Sequence, residues 1–102
     1  MFYLQRTKEF DKWLSNLKDM RAKAKILVRL RSAELGNLGD VEPVGEGVSE
    51  LRIHYGPGYR VYVKRTGKVL ILVLCGGTKS TQEKDIVRAK ALAKKYEVKE
   101  ND

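Results

Sequence analysis

The chain is poor in the residues that staple or ligate. Its 102 residues include one cysteine, Cys75, and one histidine, His54, so an internal disulfide is excluded and no zinc-ligand cluster can be assembled from these types. The lone thiol ends an apolar run, which fits a buried side chain in a reducing compartment. That run, Val69 to Cys75, is the longest in the chain and far shorter than the roughly 20 residues of a membrane span. Met1 to Phe10 lacks the apolar stretch of a signal peptide. Neither a G-x-x-x-x-G-K-[ST] phosphate loop nor a G-x-G-x-x-G dinucleotide fingerprint occurs, and few carboxylates cluster on any basic stretch, which disfavours two-metal chemistry. The sequence therefore predicts a cytoplasmic protein without membrane segment, metal or cofactor.

What is present suffices for a packed core. With 42% hydrophobic and 33% charged residues, the composition describes one globular domain over residues 1–102, burying roughly 60–70% of its unfolded surface. Twenty-one Lys and Arg against thirteen Asp and Glu give a net charge of +8, and an acidic partner is expected. The charge is uneven. Residues 36–58 hold four acids and one base, whereas residues 59–79 hold five bases (Arg60, Lys64, Arg65, Lys68, Lys79) and no acid. The lysines before residue 35 fall mostly at helical spacing and read as a solvated helix face.

Phe2 to Arg6 reads as a short strand ended by Thr7, an acceptable helix N-cap. Phe10, Trp13, Leu14 and Leu17 then follow an amphipathic helical spacing. Asp19 can cap a second helix carrying Ile26, Leu27, Leu30 and Ala33, which Gly36 stops. So short a connection predicts an antiparallel helical hairpin packed on a sheet. From Val48 the period becomes two, with Val48, Glu50, Arg52 and His54 on one side and Ser49, Leu51, Ile53 and Tyr55 on the other.

Gly56-Pro57-Gly58 predicts a tight reversal into a strand from Tyr59 to Lys64. Thr66-Gly67 marks a second hairpin, and Lys68 to Cys75 reads as an internal strand. Val41 to Gly45 adds a shorter strand, confined to an edge by Pro43. Gly76-Gly77 is expected to close the meander. Ser80-Thr81-Gln82-Glu83 has the form of a capping box opening a last helix to about Tyr96, buried through Ile86, Ala89, Ala93 and Tyr96, with a frayed tail from Glu97. The expected class is α+β: an N-terminal strand, a helical hairpin, an antiparallel meander of three to four strands and a C-terminal helix.

If Leu51 and Ile53 face the hairpin, the alternation sends Arg52, His54, Arg60, Tyr62 and Lys64 to the opposite, open face, with Lys79 and Gln82 entering from the glycine-rich loop. Cations for phosphates and rings for bases suit single-stranded RNA. A plain solvent-facing sheet is the competing reading. Neighbouring cations would favour a neutral His54 able to act as a base. Glu50 reads only as a residue that orients Arg52, and Gly76-Gly77 would let a phosphate approach the backbone beside Lys79.

Four blocks carry a family resemblance: Gly36-Asn37-Leu38-Gly39-Asp40; Gly47-Val48-Ser49-Glu50-Leu51-Arg52-Ile53; Tyr55-Gly56-Pro57-Gly58-Tyr59-Arg60-Val61-Tyr62; and Gly76-Gly77-Thr78-Lys79 with Gln82, Asp85 and Ile86. In this order they resemble the HigB-type branch of the RelE/ParE toxin superfamily, the addiction-module killer proteins. The resemblance implies a RelE-like fold and a toxin of a type II toxin–antitoxin pair. It also implies an endoribonuclease acting on mRNA, commonly at the ribosome, and a cognate antitoxin that neutralises it; with few carboxylates clustered on the basic face, such a nuclease is expected to be metal-independent. Arg52, Arg60 and Lys79 match the family's basic sheet residues, and His54 falls where relatives place another basic residue. Some relatives carry a catalytic Tyr or His near the chain end, for which Tyr96 is the only counterpart and is expected to be buried. The alternatives are ParE-like gyrase inhibition, a non-catalytic RNA- or ribosome-binding module and, last, a DNA-binding module, for which no helix-turn-helix spacing stands out.

Overall fold

Thr7 does more than cap. Its hydroxyl accepts the Phe10 N–H at 3.0 Å and donates to the Leu74 carbonyl at 2.6 Å, so one buried side chain both starts a helix and fastens it to a distant strand. In the computed structural model, which describes residues 1–67 and 70–97, the chain runs β1 (Tyr3–Arg6), α1 (Lys8–Asn16), α2 (Met20–Glu34), β2 (Val41–Gly45), β3 (Val48–Ile53), β4 (Tyr59–Thr66) and β5 (Leu70–Thr78). A 3-10 turn (Lys79–Thr81) and α3 (Gln82–Lys95) follow. Lys68 and Val69, read above as strand, and the tail from residue 98 lie outside the described residues.

The class is α+β, as expected, with one five-stranded sheet in the order β1-β5-β4-β3-β2. The meander has four antiparallel strands, β2 to β5, and β1 joins its edge parallel to β5, making the sheet mixed. Asp19 accepts the Arg21 and Ala22 N–H groups at 3.0 and 3.1 Å, which starts α2 directly after α1. Gly36, at φ +100°, takes the left-handed conformation that ends it.

Leu51 and Ile53 do face the hairpin. They pack with Val61, Val63, Ile71 and Val73 against Phe10, Leu14, Ile26 and Leu30. The other face is not open, which corrects the expectation. Ala89, Leu92 and Ala93 of α3 cover Val48, Tyr62, Leu72, Leu74 and Cys75 there, because these strands carry apolar residues at alternating positions on both sides. Burial pushes the Cys75 thiol up to about 12. The end of α3 is pinned to α1: Glu9 accepts Tyr96 Oη at 2.8 Å and Lys95 Nζ at 3.1 Å. Chiefly through the Tyr96 bond, the Glu9 carboxyl falls to about 2.

Gly76 and Gly77 do not form the expected turn; they lie inside β5. Val63 pairs with Val73 and Tyr62 with Cys75, so Leu74 is an extra residue on β5, and both Leu74 and Cys75 point to the α3 side. The alternation restarts after this bulge with Gly76 beneath Trp13 and Gly77 beneath Asp85. A Cβ would stand 2.3 Å from the Trp13 ring at Gly76 and 1.8 Å from Asp85 Oδ2 at Gly77. These glycines serve close packing on both faces. Nor does Ser80 cap α3. The Thr78 N–H donates to Thr81 Oγ1 at 3.3 Å, and the 3-10 turn that Thr78 precedes intervenes before α3.

Replacing Gly76 by alanine drives a methyl into Trp13, whose ring also lies edge-on to Tyr59 at 6.3 Å. A loss of about 1–3 kcal/mol is expected from urea unfolding of Gly76→Ala, with the Trp13 fluorescence transition moved to lower denaturant; an unchanged midpoint would refute this packing.

Candidate functional site

The period-two alternation places Val48, Glu50 and Arg52 of β3 on the α3 side of the sheet. The register sets Glu50 opposite Tyr62, and Arg52 opposite Arg60. Glu50 is fully buried, and its carboxylate organises the surroundings. Oε1 accepts Arg52 Nε at 3.0 Å, while Oε2 accepts Tyr62 Oη at 3.1 Å and Gln82 Nε2 at 2.8 Å. Arg60 Nε stands 3.4 Å from Oε2; it is buried and, among the described residues, has no hydrogen-bond partner. Burial alone would raise the Glu50 carboxyl, but donation from Arg52, Gln82 and Tyr62 and the Arg60 charge outweigh it, and the group titrates below the ordinary glutamate range. The Tyr62 phenol is pushed up by burial and by the charge of Glu50.

One carboxylate therefore serves two guanidiniums. Arg52 Nη1 lies 4.0 Å from the exposed Glu42, and Arg60 Nη1 donates to the Gly58 carbonyl at 3.2 Å. Gly58, at φ +79°, threads between two cationic side chains: a Cβ there would lie 3.4 Å from both Arg60 Nη1 and Lys79 Cβ. Gln82, first residue of α3, closes the group from above. Arg52, Arg60 and Gln82 are thus brought together around Glu50, with Lys79 beside Arg60 across Gly58.

The other predicted residues are not. Tyr62 shares the face but is fully buried, under α3 and behind Glu50, so its ring offers no surface for stacking a base. Lys64, half-buried at the far end of β4, is four residues or about 13 Å from Arg60 at strand rise. His54 lies beyond the end of β3, because the Tyr55 N–H turns back to the Ile53 carbonyl at 2.9 Å and strand alternation stops there. Its exposed ring pairs through Nε2 with the Asp40 carboxylate, at a groove against α2. Tyr96 is half-buried and bonded to Glu9, some 21 Å along α3 from Gln82 at 1.5 Å per residue.

Sequence reasoning underrated Glu50. The available signal was its place between Val48 and Arg52 on one strand face, but its burial depends on α3 bringing Gln82 over it. Among the described residues, no group of three or more His, Cys, Asp or Glu is arranged to hold a metal ion, and no described helix is long and apolar enough to cross a membrane.

The chain is 54% identical over 90 residues to a protein of Haemophilus influenzae (strain ATCC 51907 / DSM 11121 / KW20 / Rd) described as uncharacterized, covering 88% of this chain and 91% of that protein. No protein-family model matches.

Glu50→Gln removes the buried counter-charge and is expected to cost about 3–5 kcal/mol, and Tyr62→Phe about 1–2 kcal/mol, both read by chemical denaturation. Because the folded Glu50 carboxyl lies below the ordinary value of 4.5, its contribution is present above pH 4.5 and is lost as the pH falls below it. The acid limb of a stability–pH curve should therefore flatten in Glu50→Gln; an identical limb in both proteins would contradict the assignment.

Proposed function

This chain belongs to one family with the Haemophilus influenzae protein, and we propose that it is a RelE-like, HigB-type toxin of a type II toxin–antitoxin pair. In this reading it is a metal-independent endoribonuclease that cuts mRNA in the cytoplasm, at the ribosome, until a cognate antitoxin neutralises it. The element order of strand, helical hairpin, antiparallel strands and closing helix supports the RelE-like reading, as do the four sequence blocks. One observation carries the RNA-directed function: two guanidiniums set opposite each other on adjacent strands share a single buried carboxylate, beside the exposed Lys79. Positive charge left at the surface of a rigid sheet is what a phosphodiester requires.

In the proposed reaction the RNA 2′-hydroxyl attacks the adjacent phosphorus and the bond to the 5′-oxygen breaks. The products are a 2′,3′-cyclic phosphate and a 5′-hydroxyl, and DNA is not a substrate. Arg60 and Arg52, held by Glu50, stabilise the charge that develops on the phosphorane, and Lys79 reaches it from the loop. His54 stands beyond the end of β3 at the α2 groove, away from Glu50, and Tyr62 is buried and bonded to Glu50, so neither is placed to carry the proton. This favours a second reading, a non-catalytic module that holds RNA or the ribosome with the same cations; ParE-like gyrase inhibition is the third.

RNA-end mapping after induction separates these readings. Wild type should create new 3′ ends in messages. Arg60→Ala should lower cleavage at least about 100-fold, and Lys79→Ala, at an exposed position, should weaken it without changing the thermal melt. Stalled translation on intact message would instead indicate binding alone, and lost supercoiling with intact message would indicate gyrase.

A further inference from the structure

A second cationic surface lies across the sheet edge from the Glu50 cluster. Along the outward side of α2, Met20, Ala24 and Val28 follow one another at four-residue spacing, and Arg21, Lys25 and Arg29 form a parallel row beside them. Met20 and Val28 are 70% and 64% exposed. The row forms one wall of a groove of about 470 Å³, floored by Ala24, Val28 and Ile53 and closed at its end by Arg52, His54 and Asp40. Arg29 holds that end in place through the carbonyls of Arg52, Leu38 and Asp40. Among the described residues, Arg21 and Lys25 make no ion pair within 4.0 Å, and the one acid of the groove, Asp40, is engaged by His54.

The geometry points to this groove as the docking site of an acidic amphipathic helix from a protein partner, its aliphatic side chains on Ala24, Val28 and Ile53 and extending along α2 to the exposed Met20, its carboxylates on Arg21 and Lys25. Charge selects the occupant. A second copy of the chain, itself at +8, would bring cations against cations. RNA matches the charge but not the floor, which is aliphatic; the ring that lines the groove, His54, stands at its end and is held there by Asp40. An acidic helix meets both requirements, the mode in which apolar anchors at i, i+3, i+4 and i+7 lie in a groove with complementary charges at the rim. Because Arg52 belongs to both the groove and the Glu50 cluster, the docked helix competes with RNA for it. That competition, unlike the docking, rests on the function proposed above.

The test titrates the full chain with a designed 15-residue helical peptide bearing leucines along one face and glutamates beside them. Its lysine-for-glutamate counterpart and a scrambled-order control are run in parallel, followed by calorimetry and amide chemical shifts. The acidic peptide should bind at least tenfold more tightly than either control and shift the amides of Ala24, Val28 and His54. Val28→Glu, at an exposed position, should weaken it at least tenfold with an unchanged melt, while Lys79→Ala should not. Equal affinity for the scrambled control, indifference to Val28→Glu, or a single-stranded oligoribonucleotide whose shifts centre on Ala24 and Val28 would each overturn the docking site. Saturating oligoribonucleotide should weaken the peptide; if both bind independently, the competition through Arg52 is wrong. A chain that binds no RNA yet keeps Val28-dependent peptide binding would refute the proposed function and leave the docking site standing.

Discussion

The arrangement of this small domain turns on a carboxylate kept out of water. An isolated buried Glu50 would be prohibitively unfavourable, and it persists because a strand neighbour, a cross-strand phenol and a helix-borne amide all donate to it while a second guanidinium stands at ionic distance. The same contacts decide where α3 starts, since Gln82 reaches Glu50 only when the helix lies over the sheet. Holding the arginines and seating the helix are therefore one interaction. The buried ion constrains geometry more than it stabilises: its gain is in the angle at which Arg52 and Arg60 meet the surface.

Much of the architecture was legible because two periodicities are clean. The i, i+3, i+4, i+7 stripe from Phe10 to Leu17 and the strict alternation from Val48 to Ile53 assign helix and strand without ambiguity, and Thr7 and Asp19 mark helix starts through the bonds they make. Gly76 and Gly77 misled, since paired glycines signal a turn by local propensity, whereas here two aromatic or acidic neighbours from other elements require bare backbone. That requirement is tertiary and leaves no local trace. The pairing of β1 with β5 is equally invisible, because parallel partners are chosen by what lies between them in space.

The site was legible in part for the same reason. Strand register placed Arg52 and Arg60 side by side, a relation that needs only the turn at Gly56-Pro57-Gly58. His54 was misplaced by extending the alternation one residue beyond the strand. Tyr62 was misjudged because burial depends on α3 crossing the meander, and the short apolar positions of that helix, Ala89 and Ala93, do not announce which face of a sheet they will cover. Lys79 and Gln82 lie at the end of β5, on a 3-10 turn and at the start of α3 rather than on the expected glycine-rich loop, because the chain directly after a strand can lie only at its end.

The placement of β5 has a consequence in time. Its neighbours are β4, made just before it, and β1, made first, so Tyr3 waits for Leu70, and α3 follows only afterwards. A growing polypeptide leaving the ribosome holds Arg52, Glu50 and Arg60 well before it holds Gln82, and the middle of the sheet stays half-assembled until Leu70 to Thr78 have been made. The cationic centre is thus completed only when α3 emerges, and the nascent chain carries Arg52 and Arg60 unorganised from their own synthesis until then.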